Sequence, residues 1–360
     1  MDLDQYCGSG VFIPSGSFAD MGGTAVLRLS ALGDVTLVVP LIHELIKKDP
    51  CSEVVWVTTL PTSELLGPLT GCRYLIIEKV QGIGSLWRNW KLLRKETFDQ
   101  LIVAQASFSA HIISCLIKAG RKIGFDRRRG RDLHAFFIDE SITYKDEHFV
   151  DAYLTLGQLS GLPLTSKPDW SIAFNHLDRA WAKSYRSEGS KLVALHPHAS
   201  KLERRWTQSG YAAIIRKLLD HGCKVLILGG SGEVELSLNE DLASLNQNSL
   251  INFTGKLSLS QWASLLSEVD LLIAPDTGAV HIANALSTRV VGLYAVANPE
   301  LTGPYDAMDD CVNLFPAVAE KYSPKNANDF HHRFHKCNVM EQIEPGIVWD
   351  KIAMILELSR

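Results

Sequence analysis

Long apolar runs and paired cysteines are both missing from this sequence of 360 residues. No stretch approaches the roughly 18–20 consecutive apolar residues that a membrane-spanning helix needs. Residues 1–20 are acidic and their longest apolar run is 11–13, whereas a secretory signal begins with basic residues and continues with about 7–15 apolar ones. The seven cysteines include no Cys-x-x-Cys pair, which disfavours a disulfide framework and favours reduced thiols in the cytosol.

The signatures of several ligand classes are missing as well. The formal net charge of −4 gives no reason to expect a nucleic-acid partner. Asp-x-Asp occurs only at residues 2–4, which disfavours a divalent-metal sugar-nucleotide site. Residues 230–235 have Glu235 where Gly-x-Gly-x-x-Gly requires its last glycine. The turn over 29–34 has a single glycine, so an NAD-dependent oxidoreductase is a weak alternative.

A histidine-rich segment near the end of the chain contains potential zinc ligands. These residues are His331, His332, His335 and Cys337. No second cluster accompanies them at the spacing of known zinc sites, so we expect neither a metal nor another cofactor.

Strand-like and helix-like segments alternate in two series, which predicts βαβ units and parallel sheets. We therefore predict an α/β fold of two Rossmann-like, doubly wound domains facing a central cleft. The predicted regions are a disordered extension over 1–22, the two domains over 23–180 and 185–340, and a C-terminal helix over 341–360 that packs back on them. Ligands usually bind where the strands of such sheets end, so the loops after the strands are the candidate sites.

The segment after a strand ending at Ala274 has the strongest functional pattern. Asp276, Thr277 and Gly278 form a turn, and a helix follows. The free N–H groups and positive dipole end of a helix start favour phosphate. Thr277 adds a hydroxyl donor, Gly278 allows close backbone approach, and His281 lies one turn into the helix. The alternative is that Asp276 or Thr277 only caps the helix.

A second strand–turn–helix pattern lies near the start of the chain. Gly33 allows a tight turn, and Asp34 stands at the start of the helix. Its carboxylate either caps that helix or, facing the other domain, takes a proton from an attacking hydroxyl group.

Basic residues follow the first strand of the second series. Lys201, Arg204 and Arg205 are expected to neutralise a leaving diphosphate, and Ser200 to donate to it. A carboxylate after the next strand, at Glu233 or Glu235, is a candidate ligand of a ribose diol. A charged surface loop is the alternative for the basic residues.

Seven cations lie within fourteen residues of the first series. They are Lys118, Arg121, Lys122, Arg127, Arg128, Arg129 and Arg131. Such a run is commonly a solvated face, but guanidinium groups bind carboxylates and phosphates in bidentate fashion. We predict that this patch contacts an anionic acceptor or an anionic membrane surface.

These motifs resemble the heptosyltransferases of glycosyltransferase family 9, whose members have the two-domain GT-B fold. The resemblance covers nearly everything after Met21. Matching segments are 26–34, 122–125, 276–285, 291–299 and 302–305. The region 293–305 and the tail resemble, in particular, members that add the first heptose to Kdo.

The resemblance implies roles for individual positions. Asp34 falls on the proposed catalytic base. The implied donor-binding residues are Ser200, Arg204, Glu233, Asp276, Thr277, Gly278 and His281. Several relatives have Lys in place of Arg204, and Glu235 is an alternative register for Glu233. The acceptor-binding residues are Lys122, Arg128 and Arg131, of which Arg131 matches the family's acceptor arginine best.

We therefore expect an inverting glycosyltransferase that moves heptose from ADP-heptose to Kdo of the lipopolysaccharide inner core, with Kdo-lipid A as acceptor. We expect a cytoplasmic monomer, peripheral to the inner membrane. Another family 9 step, adding a second or third heptose, and a sugar-nucleotide epimerase of the same fold are alternatives. A non-enzymatic sugar-phosphate binding protein belongs to a different class and is disfavoured by the paired acid and anion motifs.

Overall fold

Two parallel six-stranded sheets form the framework of the computed structural model, which describes residues 22–131, 133–163, 167–172, 176–245, 249–326, 329–334 and 338–358. The first sheet contains β1 (Thr24–Leu27), β2 (Val54–Thr58), β3 (Cys72–Ile76), β4 (Thr97–Val103), β5 (Lys118–Gly124) and β6 (Glu140–Ser141). The second contains β7 (Leu192–Leu195), β8 (Lys224–Ile227), β9 (Leu250–Asn252), β10 (Leu271–Pro275), β11 (Val290–Tyr294) and β12 (Val312–Asn313). Every residue of β2, β7, β10 and β11 is buried, as expected for strands that are covered on both faces of a sheet.

Helices connect the strands and cover both sheets. Those of the first series are α1 (Val39–Lys48), α2 (Leu60–Leu66), α3 (Ile83–Leu93), α4 (Phe108–Leu116), α5 (Phe149–Leu159) and α6 (His176–Lys183). Those of the second are α7 (Gln208–Asp220), α8 (Glu233–Ala243), α9 (Leu259–Leu266), α10 (Gly278–Ala285), α11 (Pro299–Thr302), α12 (Phe315–Tyr322) and α13 (Pro345–Leu356). In the described part of the chain, none of them is both long and apolar enough to cross a membrane.

The strand order confirms the prediction of two doubly wound sheets. It is β3-β2-β1-β4-β5-β6 in the first sheet and β12-β11-β10-β7-β8-β9 in the second. In both, the winding direction reverses between the first and fourth strands of the series. The loops that leave those strands diverge at their carboxyl ends and open a crevice where ligands bind. The crevices lie after β1 and β4 in one lobe, and after β7 and β10 in the other.

The sequence pattern predicts a helix over 110–119, whereas in the structure α4 ends at Leu116 and β5 begins at Lys118. β5 pairs with β4 and β6, and it includes Lys118, Arg121 and Lys122. The strand is not evident from the sequence, because many of its residues are polar and its side chains are only partly buried. Three residues of the basic patch therefore belong to a sheet, not to a flexible face.

The two lobes share one hydrophobic core. A single buried cluster contains Val26, Leu37 and Val38 of the first lobe together with Leu272 and Val280 of the second. The 3₁₀ turn Thr36–Val38 and α10 lie against each other in this core. The lobes are therefore held together by apolar packing as well as by polar contacts.

The segments beyond the two sheets pack on specific lobes. The Trp170 side chain donates to the Thr36 carbonyl oxygen at 3.1 Å, which ties residues 167–172 to the first lobe. α6 packs on α9 of the second lobe, although the sequence prediction assigned most of it to the first. α13 packs on α7 and β11. The predicted extension lies outside the described residues except for Gly22.

A buried histidine joins the lobes beside the shared core. His148 caps α5, because its Nδ1 accepts the N–H of Val150 at 3.1 Å. Its Nε2 then carries the hydrogen and donates to the carbonyl oxygen of Gly303 in the second lobe, at 3.0 Å. The bond from Val150 requires a neutral imidazole, because a protonated ring has no acceptor nitrogen. Burial, with a smaller contribution from the nearby His281, lowers the pKa of His148 to about 4, although the bond to Gly303 opposes the shift.

This geometry predicts a pH-dependent stability. The pKa of His148 is about 4 in the folded chain and 6.5 ordinarily, so the unfolded chain binds the proton first as pH falls. The stabilisation from His148 is complete above pH 6.5 and is lost towards pH 4. We expect His148→Ala to lower the free energy of unfolding at pH 7.5 by about 1–3 kcal/mol and to weaken its dependence on pH below 6.5.

Urea unfolding at a series of pH values measures both effects. His148→Asn is the matched variant, because asparagine also caps helices but does not titrate. It should restore part of the stability at pH 7.5 while keeping the weaker pH dependence. Parallel curves for wild type and both variants would contradict this role.

Candidate active site between the two sheets

Asp34 lies in the loop after β1, at the crevice of the first sheet. Its Oδ2 accepts a hydrogen bond from Nη2 of Arg28 at 2.8 Å, and its side chain is partly exposed. The Arg28 guanidinium is buried, and its Nη1 also donates to the carbonyl oxygen of Ala104 at 2.9 Å and to the hydroxyl of Tyr153 at 2.8 Å. Arg28 therefore fixes the carboxylate between the ends of β1 and β4. The sequence pattern gave no role to Arg28.

A glutamine from the neighbouring strand fixes the rest of this loop. Gln105 follows β4, and its Oε1 accepts the N–H groups of Leu29 and Ser30 at 2.8 and 3.1 Å. Its Nε2 donates to the Ser30 and Ser107 hydroxyl oxygens. Because these contacts join residues about 75 positions apart, no local pattern revealed them.

The helix start predicted as a phosphate site lies opposite, at the crevice of the second sheet. α10 begins at Gly278, and Thr277 is its N-cap, with Oγ1 accepting the N–H of Ala279 at 3.1 Å. The capping alternative is therefore correct for Thr277, yet its hydroxyl hydrogen can still be donated to a ligand. His281 is buried, and its Nε2 lies 3.7 Å from Oδ1 of Asp34, beyond hydrogen-bond range.

The histidine has an unused polar atom. Nδ1 of His281 is buried without a hydrogen-bond partner among the described residues. Buried polar groups without a partner are rare and costly. The gap between Asp34 and His281 is lined by Oδ1 of the carboxylate and Nε2 of the imidazole, whereas Nδ1 is the nitrogen without a partner.

Two glycines bring the lobes into backbone contact beside this gap. A β-carbon on Gly33 would lie 2.1 Å from Cα of Gly278, and one on Gly278 would lie 3.0 Å from Cα of Gly33. No other residue allows this approach without moving the loops. The Gly33 loop also covers part of the start of α10. The axis of α10 is therefore partly blocked at its start by the backbone of the other lobe.

An ion pair borders this position in the second lobe. Arg204 ends a 3₁₀ turn, Leu202–Arg204, and its Nη1 lies 3.2 Å from Oδ2 of Asp276. Both side chains are largely buried, so Asp276 orients the guanidinium of Arg204. Ser200 is exposed in the same loop. The structure thus brings Arg204, Asp276 and Thr277 together, as the sequence predicted.

Arg333 is a further cation that the sequence analysis missed. Its backbone forms an antiparallel bridge with Ala297, just beyond β11, and Phe334 donates its N–H to the Val296 carbonyl oxygen at 3.0 Å. This pairing brings a chain segment from near the C-terminus to the edge of the second sheet. In the sequence, the surrounding segment stands out only for its potential zinc ligands. The position of Arg333 beside the gap becomes evident only from the tertiary pairing.

The surroundings of Arg333 are rich in charge. Burial lowers the pKa of its guanidinium, and so do the charges of Arg204 and Arg131, whereas Asp276 and Asp34 oppose the shift. Arg131 belongs to the first lobe and is exposed. Three arginines from two lobes therefore converge near the gap, and an anion placed between them would relieve their mutual repulsion.

The predicted ribose ligand is only partly described. Glu233 is the first residue of α8, but its side chain lies outside the described residues. The alternative, Glu235, is buried, and its Oε1 accepts the N–H of Gly230 at 2.7 Å. Its Oε2 lies 3.4 Å from Nδ1 of His198. Glu235 therefore holds the turn between β8 and α8, which disfavours it as the ribose ligand.

The basic patch does not form one continuous surface. Arg129 is buried and forms ion pairs with Asp126 at 3.2 Å and Glu147 at 2.7 Å. Arg121 pairs with Glu140 at 3.1 Å. The predicted contact of this patch with an acceptor or a membrane is therefore disfavoured for these two residues, whose charges are compensated within the protein.

The three predicted acceptor residues have different surroundings. The Lys122 ammonium group donates to the Ser114 carbonyl oxygen at 2.7 Å, a contact with α4 that disfavours an acceptor role. Arg128 pairs across the lobes with Asp329 at 3.0 Å, at an exposed rim. Arg131 alone of the three approaches the charges around the gap.

The described residues contain no group of three histidine, cysteine, aspartate or glutamate side chains arranged to hold a metal. His335 and Cys337 of the histidine-rich segment lie outside those residues.

The glycine contact generates a test of how the lobes fit together. We expect Gly33→Ala to lower the free energy of unfolding by about 1–3 kcal/mol, because the new methyl group meets backbone that cannot rotate away. Gly346→Ala is the matched control, since a β-carbon there has no neighbour within 4 Å and α13 gains a better helix former. Chemical unfolding measures both. Equal stability of the two variants would show that the lobes do not meet at Gly33.

The family model of glycosyltransferase family 9 (heptosyltransferase) matches residues 86–328. The lipopolysaccharide core heptosyltransferase OpsX of Haemophilus influenzae is 30% identical to this chain, over 84% of it and 88% of the relative. The family 9 structure from Veillonella parvula has a TM-score of 0.77 at 20% identity, covering 94% of this chain and 98% of its own.

A second structure leads to the same fold. The E. coli heptosyltransferase WaaC, solved with ADP, has a TM-score of 0.72 at 16% identity and covers 92% of this chain and 99% of its own. The two lobes are thus those of the GT-B fold. The family match extends over more than half of the sequence, from α3 to beyond α12. The chain therefore belongs to glycosyltransferase family 9, the heptosyltransferases, and is a glycosyltransferase.

Proposed function

We propose that this enzyme transfers heptose from ADP-heptose to a Kdo sugar of the lipopolysaccharide inner core, with inversion at the anomeric carbon. The observation that carries the proposal is the position of Asp34 opposite His281, with one oxygen held by Arg28 and the other facing the gap. A relative named as a lipopolysaccharide core heptosyltransferase supports the acceptor class.

The donor diphosphate is proposed to lie beside the start of α10. Thr277 donates its hydroxyl hydrogen, and Arg204, oriented by Asp276, contacts the phosphates. Arg333 supplies a second guanidinium from the other side. The convergence of Arg204, Arg333 and Arg131 favours a dianionic group over a neutral sugar. ADP and an ADP-heptose analogue are present in the WaaC structures, which supports a nucleoside diphosphate as the leaving group.

The reaction follows from this arrangement. An acceptor oxygen attacks the anomeric carbon, the bond from that carbon to the phosphate oxygen breaks, and the nucleoside diphosphate leaves. Oδ1 of Asp34 takes the proton from the attacking hydroxyl group, while Arg28 keeps the carboxylate in position through Oδ2. Arg204, Arg333 and the amide end of α10 stabilise the negative charge that develops on the leaving oxygen.

The acceptor is proposed to approach from the first lobe, past Arg131. A guanidinium binds a carboxylate in bidentate fashion, and Kdo carries a carboxylate. The resemblance of residues 293–305 to enzymes of the first heptose step supports that step over the second or third. We further propose that the enzyme acts as a monomer at the cytoplasmic face of the inner membrane, where a lipid-linked acceptor lies.

The role of Asp34 can be tested by removing its basicity. We expect Asp34→Asn to lower kcat about 10²–10⁴-fold, because general base catalysis is worth that much. The assay combines ADP-heptose with Kdo-lipid A and detects the product by mass. Asp309→Asn, at an exposed position of the second lobe, is the control and should keep wild-type kcat.

Binding of ADP to the Asp34 variant separates catalysis from folding. Removing the carboxylate leaves the buried Arg28 short of a partner, so some loss of stability is expected. ADP affinity should stay close to wild type, since the donor phosphates lie in the other lobe. Transfer within about tenfold of wild type would exclude Asp34 as the base. ADP-heptose turnover in the absence of acceptor would favour the epimerase alternative.

Arg333 can be distinguished from a structural arginine. We expect Arg333→Ala to weaken ADP binding about 10–100-fold, the effect of losing one charge-assisted contact. The free energy of unfolding should change little, because burial and the charges of Arg204 and Arg131 outweigh the favourable charges of Asp276 and Asp34 at the Arg333 guanidinium. Arg216→Ala, on the exposed side of α7, is the control for titration calorimetry and unfolding. Unchanged ADP affinity in Arg333→Ala would remove this residue from the donor site.

A further inference from the structure

α3 has large apolar side chains on its solvent side. Ser85, Asn89 and Leu93 are buried, and they fix which side of the helix faces the sheet. The opposite side presents Ile83, which is 87% exposed, and Trp87, which is 52% exposed. Trp90, 40% exposed, borders the same side, and these three residues are here called the tryptophan face. Exposed apolar groups of this size on one helix are typical of an interaction surface.

Cations accompany both tryptophans. Nζ of Lys91 lies 3.7 Å from the ring centre of Trp87, and the Arg94 guanidinium lies 4.7 Å from that of Trp90. Residues 83–95 contain no carboxylate and four basic residues, of which Arg88 forms an ion pair with Glu78 at 2.7 Å while Lys91 and Arg94 lie over the tryptophan rings. The face therefore combines indole rings with positive charge on an otherwise acidic protein.

Exposed apolar residues continue from the tryptophan face across the neighbouring elements. α3 packs against α4, and both cover the same side of the first sheet. At the start of α4, Phe108 is 67% exposed. Leu133 and Phe136 are 71% and 82% exposed in the next segment. That segment is fixed to α4 by a hydrogen bond of 2.9 Å between two buried histidines, His111 and His134.

This side of the first lobe adjoins the cleft. α3 and α4 begin at the carboxyl ends of β3 and β4, the same sheet edge from which Asp34 faces the gap. Phe108 follows Ser107, whose hydroxyl oxygen accepts from the Gln105 side chain that fixes the catalytic loop. Leu133 is two residues beyond Arg131, the proposed acceptor contact. A surface that rests on these residues would lie next to the acceptor entrance.

We propose that the tryptophan face, with Phe108, Leu133 and Phe136, docks the enzyme on an anionic lipid bilayer. Indole rings favour the boundary between headgroups and acyl chains, and basic residues are attracted to anionic headgroups. A helix that lies in this boundary combines the two. The core of a protein–protein interface is depleted of lysine, which disfavours a second copy of the chain as the occupant. This inference rests on the proposed function, because a lipid-linked acceptor is reached at the bilayer surface.

The location differs from the basic patch that the sequence suggested. In that patch, Arg121 and Arg129 are neutralised by carboxylates. On α3, by contrast, Lys91 and Arg94 contact aromatic rings, which leave their positive charge uncompensated. The bilayer therefore meets α3, α4 and the turn His134–Phe136, while Arg131 remains directed to the cleft.

Co-sedimentation of the full chain with vesicles tests the docking surface. The vesicles contain phosphatidylethanolamine with phosphatidylglycerol, and vesicles of phosphatidylcholine alone serve for comparison. We expect Trp87→Ser with Trp90→Ser to weaken binding to the anionic vesicles at least about tenfold. Lys91→Ala with Arg94→Ala should weaken it about fivefold for each cation, and only at low salt.

An aromatic–cation pair elsewhere on the surface provides the matched control. Lys321 lies over the ring of Tyr322 at 5.0 Å on α12, and that tyrosine is 45% exposed. Lys321→Ala with Tyr322→Ser should bind vesicles as wild type does. Equal binding by the tryptophan variant and this control would overturn the proposal. The proposal would also be overturned if the wild type were a dimer and the tryptophan variant a monomer, since a second copy of the chain would then cover the tryptophan face.

Two forms of the acceptor separate this inference from the proposed function. With Kdo-lipid A in vesicles, the tryptophan variant should show a reduced kcat/KM. With a water-soluble acceptor that lacks the acyl chains, it should match wild type. Failure of wild type to use either acceptor would refute the proposed function and leave the vesicle result standing. An equal loss with both acceptors would instead make the tryptophans part of the catalytic fold and overturn the docking role.

Discussion

The backbone contact between Gly33 and Gly278 determines how closely the two sheets approach each other. Each glycine lies in a loop that leaves a strand beside the point where its sheet reverses direction. Asp34 follows one of them directly, and His281 lies one turn beyond the other. Their separation of 3.7 Å is therefore a consequence of a contact in which neither side chain takes part. A glycosyltransferase needs its base and its leaving-group site at a fixed spacing, and in the proposed site two residues without β-carbons provide it.

Two ion pairs border the gap. Arg28 is matched by Asp34 and Arg204 by Asp276, so these four residues form a stable framework before any ligand enters. Among the described residues Arg333 forms no ion pair, and the charges of Arg204 and Arg131 act on its guanidinium against those of Asp276 and Asp34. A site that is preorganised for a departing diphosphate must hold some positive charge at a cost to folding, because compensation within the protein would remove its attraction for the ligand. Arg333 fits that requirement.

The sequence predicted the parts of the site that lie in local strand–turn–helix patterns. The positions of Asp34, Thr277 and His281 beside the gap were predictable because a turn residue and a helix start stand next to them in the chain. The doubly wound topology followed from the alternation of strands and helices. Arg28 and Arg333 were missed because their significance depends on partners far away in sequence. β5 was missed because a partly buried strand needs few apolar residues. The compensation of two charges in the basic patch was missed because the carboxylates that neutralise Arg121 and Arg129 come from other segments.

The hydrophobic core that runs through both lobes limits how they can separate. Parting the turn Thr36–Val38 from α10 would expose Leu37, Val38 and Val280 to water, at about 25 cal/mol for each Å² of apolar surface. Such exposure carries a positive heat-capacity change. Substrate exchange by wide hinge opening would therefore become easier on cooling relative to exchange through the exposed rim, where the Arg128–Asp329 ion pair joins the lobes. The rim pair is weakened by salt and the shared core is not, so ionic strength acts on the entrance without loosening the junction beneath it.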